Sequence, residues 1–208
     1  GEFGAYEGVD PVAESSEIVN AYMRGTVSKI NNRYIETVEG EPFIRIGFAE
    51  QNFILAEAAL RGWITGEGAE IYYKAGIRAA MEFTAANTPA KYQHGVKIDD
   101  AYIASYLAGA KVRFGASSSE NLEKIYNQKY ILYFLQHEWD AFFECRRTGV
   151  PELPVNQSTN MNTDATRMPV RWMYAQTEYD RNNANVMEAI TRQYDGLDNE
   201  NCVMWLLK

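Results

Sequence analysis

The stretch Trp139-Asp-Ala-Phe-Phe-Glu-Cys-Arg-Arg-Thr-Gly-Val-Pro-Glu-Leu-Pro154 constrains this chain more than any other. Trp139, Phe142 and Phe143 recur at i, i+3, i+4, the spacing that lines one helical face. Arg146 and Arg147 fall in the last turn, where cations favour the negative end of the helix dipole. Gly149 is placed to take a left-handed cap, and Pro151 and Pro154 prevent the helix from restarting. Read by physics alone, this is the stop of a long buried helix. Upstream, Ser117 and Glu120 make a capping-box pattern. The helix is therefore predicted to run from there to Arg147, roughly 27 residues or about 40 Å. Leu122, Ile125, Lys129, Leu132, Gln136, Trp139 and Phe143 run down its stripe, thickened by Tyr130, Phe134 and His137. Lys129 and Gln136 need polar partners if they are buried.

Two further helices are predicted between Ile44 and Ala86. In the first, Phe48, Asn52, Leu55 and Ala59 line one face, and Ala49, Phe53, Ala56 and Leu60 line the next, so burial over most of the circumference is expected. In the second, Tyr72, Gly76, Ala79 and Phe83 share a face. Gly76 in mid-helix costs about 1 kcal/mol against alanine, which close helix contact would offset. Asp99-Asp100 can cap a helix reaching about Val112. Residues 1–42 read as an irregular lead segment with one helix starting at Ser15-Ser16, and 43–149 as the helical body. Residues 150–208 read as an ordered strap with a short helix from Asn185 to Tyr194.

Composition excludes several classes. A net charge of −8 argues against nucleic-acid binding, which needs clustered Lys and Arg. No apolar run approaches the ~20 residues of a membrane helix. Two cysteines, Cys145 and Cys202, are too few for a disulfide framework. Both are expected as buried free thiols, with a single disulfide open in an oxidising compartment. His137-Glu138 does not extend to HExxH, because position 141 is Ala141, and no metal site is expected. The Asp180 to Asn185 run lacks the glycine and distal Glu of a calcium loop and reads as a solvated turn. A carboxylate pair such as Glu138 with Asp198 would be needed for glycoside hydrolysis, and nothing in the spacing supports one.

Four segments, in order, resemble the SusD/RagB family of nutrient-binding outer-membrane lipoproteins. They are Phe48-Ala-Glu-Gln-Asn-Phe-Ile-Leu-Ala-Glu-Ala-Ala-Leu-Arg-Gly-Trp63 and Tyr72-Tyr-Lys-Ala-Gly-Ile-Arg-Ala-Ala-Met81. Next come Gln128-Lys129 with the Trp139 to Pro154 stretch, then Pro169-Val-Arg-Trp-Met-Tyr174 with Glu178-Tyr179 and Asn182 to Asn185. Ala175 departs from the pattern, standing where the family usually has proline.

The resemblance implies an all-α fold of tetratricopeptide-like helix pairs with a long irregular C-terminal strap. It implies that residues 1–208 are the C-terminal part of a single domain. The N-terminal half, with the signal peptide and lipidated cysteine, would lie outside this chain and cover apolar helix faces that these helices leave bare. The implied function is non-catalytic capture of an oligosaccharide, or a peptide, at the bacterial cell surface, for delivery to a SusC-like TonB-dependent outer-membrane transporter. No cofactor is implied. The alternatives are an α-helical glycoside hydrolase and a helical scaffold binding peptide or protein. For a binder, aromatic side chains in loops are the candidate ligand contacts, and Tyr6, Tyr34, Trp63 and Tyr92 qualify by position.

Overall fold

A computed structural model describes residues 6–38, 40–137 and 139–207. Among them the fold is all-α, with no strand. The helices are α1 (Ser15–Met23), α2 (Phe48–Leu60), α3 (Ala69–Ala86), α4 (Asp100–Ala108), α5 (Ser118–Leu132), α6 (Asp140–Thr148) and α7 (Gln176–Tyr194). The chain forms two compact units, one of residues Lys29–Glu152 and one joining Tyr6–Ser28 to 153–207. No helix among the described residues is long and apolar enough to cross a membrane.

In the first unit α2 and α3 form an antiparallel pair on which α5 packs, with α4 against α3 and α6 against α5. Phe53, Ala56, Tyr73, Ile77, Val112, Ile125 and Tyr126 make the core. Tyr73 is admitted because its hydroxyl donates to Val112 O at 2.9 Å and its ring stacks on Phe114. Gly76 is where the pair closes up. A Cβ there would lie 2.7 Å from Phe53 Cε1 and 3.1 Å from Ala49 O. Gly76→Ala gains about 1 kcal/mol of helix propensity but must overpack a ring and a carbonyl, at about 1–3 kcal/mol. A net loss of up to about 2 kcal/mol is expected in urea unfolding; a raised midpoint would refute the close-contact account. Burial of α2 is one-sided. Ala49, Phe53 and Ala56 are buried while Phe48 and Ile54 face solvent, because α3 and α5 cover only that side.

The predicted long helix is two. α5 stops at Leu132, Leu135 takes a left-handed φ of 57°, and α6 begins only at Asp140. The bend is held by Gln136, whose amide accepts from Ile44 N at 3.0 Å and donates to Glu41 Oε2 at 3.0 Å. Trp139 consequently sits at the start of α6, not mid-stripe, and is 52% exposed. Its ring meets Phe142 edge-on. Trp139→Ala, expected to cost 3–5 kcal/mol for a buried ring, should cost about 1 kcal/mol at this exposure. A loss above about 3 kcal/mol in chemical denaturation would restore the buried assignment.

The caps follow the sequence. Asp99 accepts from Tyr102 N at 3.0 Å, Ser117 from Glu120 N at 3.3 Å, and Gly149 has φ 73°. α4 ends at Ala108, short of Val112, at Gly109. Both cysteines are free and half-buried, less enclosed than expected.

The polar stripe positions find partners in a buried ion cluster joining α2, α5 and α6. Lys129, 3% exposed, reaches Glu144 at 3.0 Å. Arg147 grips both oxygens of Glu57 at 2.8 Å and also bonds Glu144 at 2.8 Å. Arg61 Nε and the Tyr126 hydroxyl each donate to Glu57 Oε1 at 2.9 Å. Burial alone would raise the Glu57 carboxyl, but the hydrogen bonds from Arg147, Tyr126 and Arg61 prevail and hold it at about 2.

In the second unit Asp198 is the hub. It pairs with Arg171 Nη1 and accepts from Tyr174 N at 3.0 Å and the Tyr179 hydroxyl at 2.6 Å. The Arg171 guanidinium lies 4.2 Å over the Tyr194 ring. Residues between α6 and α7 are irregular yet ordered by side-chain-to-backbone bonds, such as Asn160 Nδ2 to Ala165 O at 2.8 Å. α7 is longer than predicted, starting at Gln176 and kinking at Asn182 with φ −142°. The run from Asp180 to Asn185 is solvent-exposed, as expected, but helical on either side of the kink at Asn182 where a turn was expected. Ala175 stands at the α7 N-cap with ψ 144° and φ −65°, the φ at which proline is locked. Ala175→Pro should stabilise by about 0.4–1 kcal/mol through the unfolded state; a lowered melting temperature would show that this turn cannot take proline.

Candidate functional site

A cleft of about 410 Å³ opens in the first unit between α3, α4, α5 and residues 33–44. Ile77, Ala80, Met81, Phe83 and Ile131 make much of its wall. A smaller apolar cavity of about 150 Å³ adjoins it, sharing Ile44, Ala80, Phe83, Leu132 and Gln136. At one end lies a buried ion pair. Arg33 Nη1 donates to Glu41 Oε1 at 2.6 Å and to Asn87 O at 3.2 Å, while Nη2 donates to the Tyr34 hydroxyl. Glu41 Oε2 accepts from Gln136. Arg33 can be buried because these acceptors meet its guanidinium. Burial, then the nearby Glu41 charge, pushes the Tyr34 phenol up, so it stays neutral and keeps its proton.

Aromatic side chains also line the cleft. Phe134 is half-exposed and meets Tyr34 edge-on at 5.9 Å between ring centres. Tyr102 comes from the first turn of α4, and Tyr106 from the next, where its hydroxyl pairs with the Gln128 amide at 2.9 Å.

Of the four aromatics singled out by sequence, Tyr34 alone lines this cleft. Tyr92 is 4% exposed, with its hydroxyl on Glu36 at 2.8 Å and Lys91 over its ring, so neither face is open. Trp63 is exposed on the α2–α3 turn with Arg61 5.2 Å from its ring. Tyr6 is exposed in the second unit. Phe134, Tyr102 and Tyr106 fall on predicted helices, where their spacing reads as packing. Phe134 lies past the end of α5 at Leu132, outside the helix expected there. Glu138 lies outside the described residues, and Asp198 is committed to Arg171. No group of three metal-ligating side chains occurs among the described residues.

The SusD-like family model, described as starch-binding associating with outer membrane, matches residues 1–175. A SusD homologue from Bacteroides fragilis is 45% identical with a TM-score of 0.94, covering 100% of this chain and 44% of its own. A second from that species is 38% identical, with a TM-score of 0.83 and the same coverages. A chitin-binding SusD homologue from Flavobacterium johnsoniae is 27% identical with a TM-score of 0.60, over 77% of this chain and 36% of its own. The chain thus spans less than half the length of these relatives. No curated protein matches it.

Proposed function

The chain belongs to the SusD-like family, and on that premise we propose that it captures an oligosaccharide at the outer membrane without cleaving it. The family match over residues 1–175 carries the reading. The cleft supports it, with apolar and aromatic walls and a few placed polar groups, the composition of a small-ligand site. The captured glycan would pass to a SusC-like TonB-dependent transporter, with this protein at the cell surface as a lipoprotein. The solvent-facing apolar side chains of α2 support burial by further chain, for which the N-terminal portion of a longer protein is proposed.

The test is titration calorimetry against a glycan panel, with chromatography of the recovered ligand. Binding with the glycan recovered intact supports capture. Release of shorter products, abolished by a single Glu or Asp substitution, would replace it with glycoside hydrolysis. Retention of peptides but no glycan would favour the scaffold alternative.

A further inference from the structure

Resting on the capture reading, we propose that the cleft beside residues 33–44 receives the end unit of a neutral glycan and rejects acidic sugars, because the two charges it contains are spent on each other. Arg33 and Glu41 have side chains only 6% and 9% exposed. The guanidinium already serves Glu41, Asn87 O and the Tyr34 hydroxyl, and the Glu41 carboxylate already serves Arg33 and the Gln136 amide. A uronate or sulfate entering here would give up its hydration and find no uncommitted cation, with the Glu41 carboxylate as a repelling neighbour. The chain's net charge of −8 adds repulsion against a polyanion at long range.

A neutral pyranose meets different terms. It needs an apolar face to stack on and hydroxyl partners, and it brings no ionic desolvation. Phe134, which lines the cleft, offers a half-exposed ring held edge-on to Tyr34. The Tyr102 hydroxyl, which makes no hydrogen bond among the described residues, lines the wall as both donor and acceptor. The volume of about 410 Å³ falls in the range of small-ligand pockets, about 300–1,000 Å³. The ion pair would thus act as a selectivity element that presents hydrogen-bonding surface without net charge.

Calorimetry of the intact chain with maltoheptaose, chitohexaose and hexagalacturonate tests this. At least one neutral ligand should bind about tenfold or more tightly than hexagalacturonate. Phe134→Ala should weaken the neutral ligand about tenfold, and Tyr102→Phe about threefold to tenfold. Glu41→Gln keeps the side-chain shape but releases Arg33, and should narrow the neutral-to-acidic ratio about tenfold. If that variant does not fold, the wild-type ratio together with Tyr102→Phe decides. Tighter binding of hexagalacturonate by the wild type would overturn the proposal. So would neutral binding untouched by both aromatic substitutions, which leaves capture standing with its site elsewhere. Failure to bind any glycan of a broad panel would remove the capture reading itself.

Discussion

Glu57→Ala should destabilise the first unit by about 3 kcal/mol, the lower end of the cost of breaking a buried ion pair. The lower end applies because Arg61 and Arg147, which lose their acceptor, are 36% and 42% exposed and recover part of their hydration. The same carboxylate should make stability fall in acid. Its folded pKa, about 2, lies below the ordinary value near 4.5. A carboxyl depressed in the folded state contributes fully above its unfolded pKa and progressively less as pH falls through the folded one. About 3 kcal/mol should therefore disappear between about pH 5 and 2. Urea unfolding of wild type and Glu57→Ala across that range measures both effects. Wild type should approach the variant at low pH; a constant gap between them would refute the assignment.

Asp198→Ala should cost about 3–5 kcal/mol, felt in the second unit. Here both partners are buried, Arg171 at 6% and Asp198 at 7% side-chain exposure, so the stranded guanidinium has little water to turn to. The Tyr174 amide and Tyr179 hydroxyl lose their acceptor in the same step. Asp198→Asn, which keeps an acceptor oxygen, should cost less. Hydrogen exchange reads the location. Protection should fall across 168–201 and persist in α2 and α3; uniform loss over the whole chain would contradict a hub local to the second unit.

What the sequence disclosed was decided by local rules. The α2–α3 pair follows from apolar spacing, and the caps at Asp99, Ser117 and Gly149 follow from residue type. Lys129 and Gln136 stood out as polar positions on an apolar stripe, and both are partnered. What it hid was decided at long range. Leu135 carries no turn signal, and the bend at α5 depends on Gln136 meeting residues some ninety positions earlier, with separations of 92 and 95. The early part of α7 was hidden because a polar Asn run resembles a turn when its kink is unseen. The cleft was legible only at Tyr34. Its other aromatics obey helical spacing, and nothing local separates a ring that packs from a ring that lines an opening.

The second unit is discontinuous in sequence, and this bears on the order of events during synthesis. Val12 O accepts from Asn156 Nδ2 across 144 positions and from the Thr159 hydroxyl across 147. Closing so long a loop costs about 4 kcal/mol of chain entropy before any contact repays it. Residues 6–28 leave the ribosome before residues 29–152 and must wait for partners that emerge only after them. Residues 29–152 are contiguous and have no such wait, so pulse-labelled exchange should find α2, α3 and α5 protected before α1 and α7. Until then the segment around α1 stays without these partners, and is a portion of the nascent chain on which a chaperone or a protease would act.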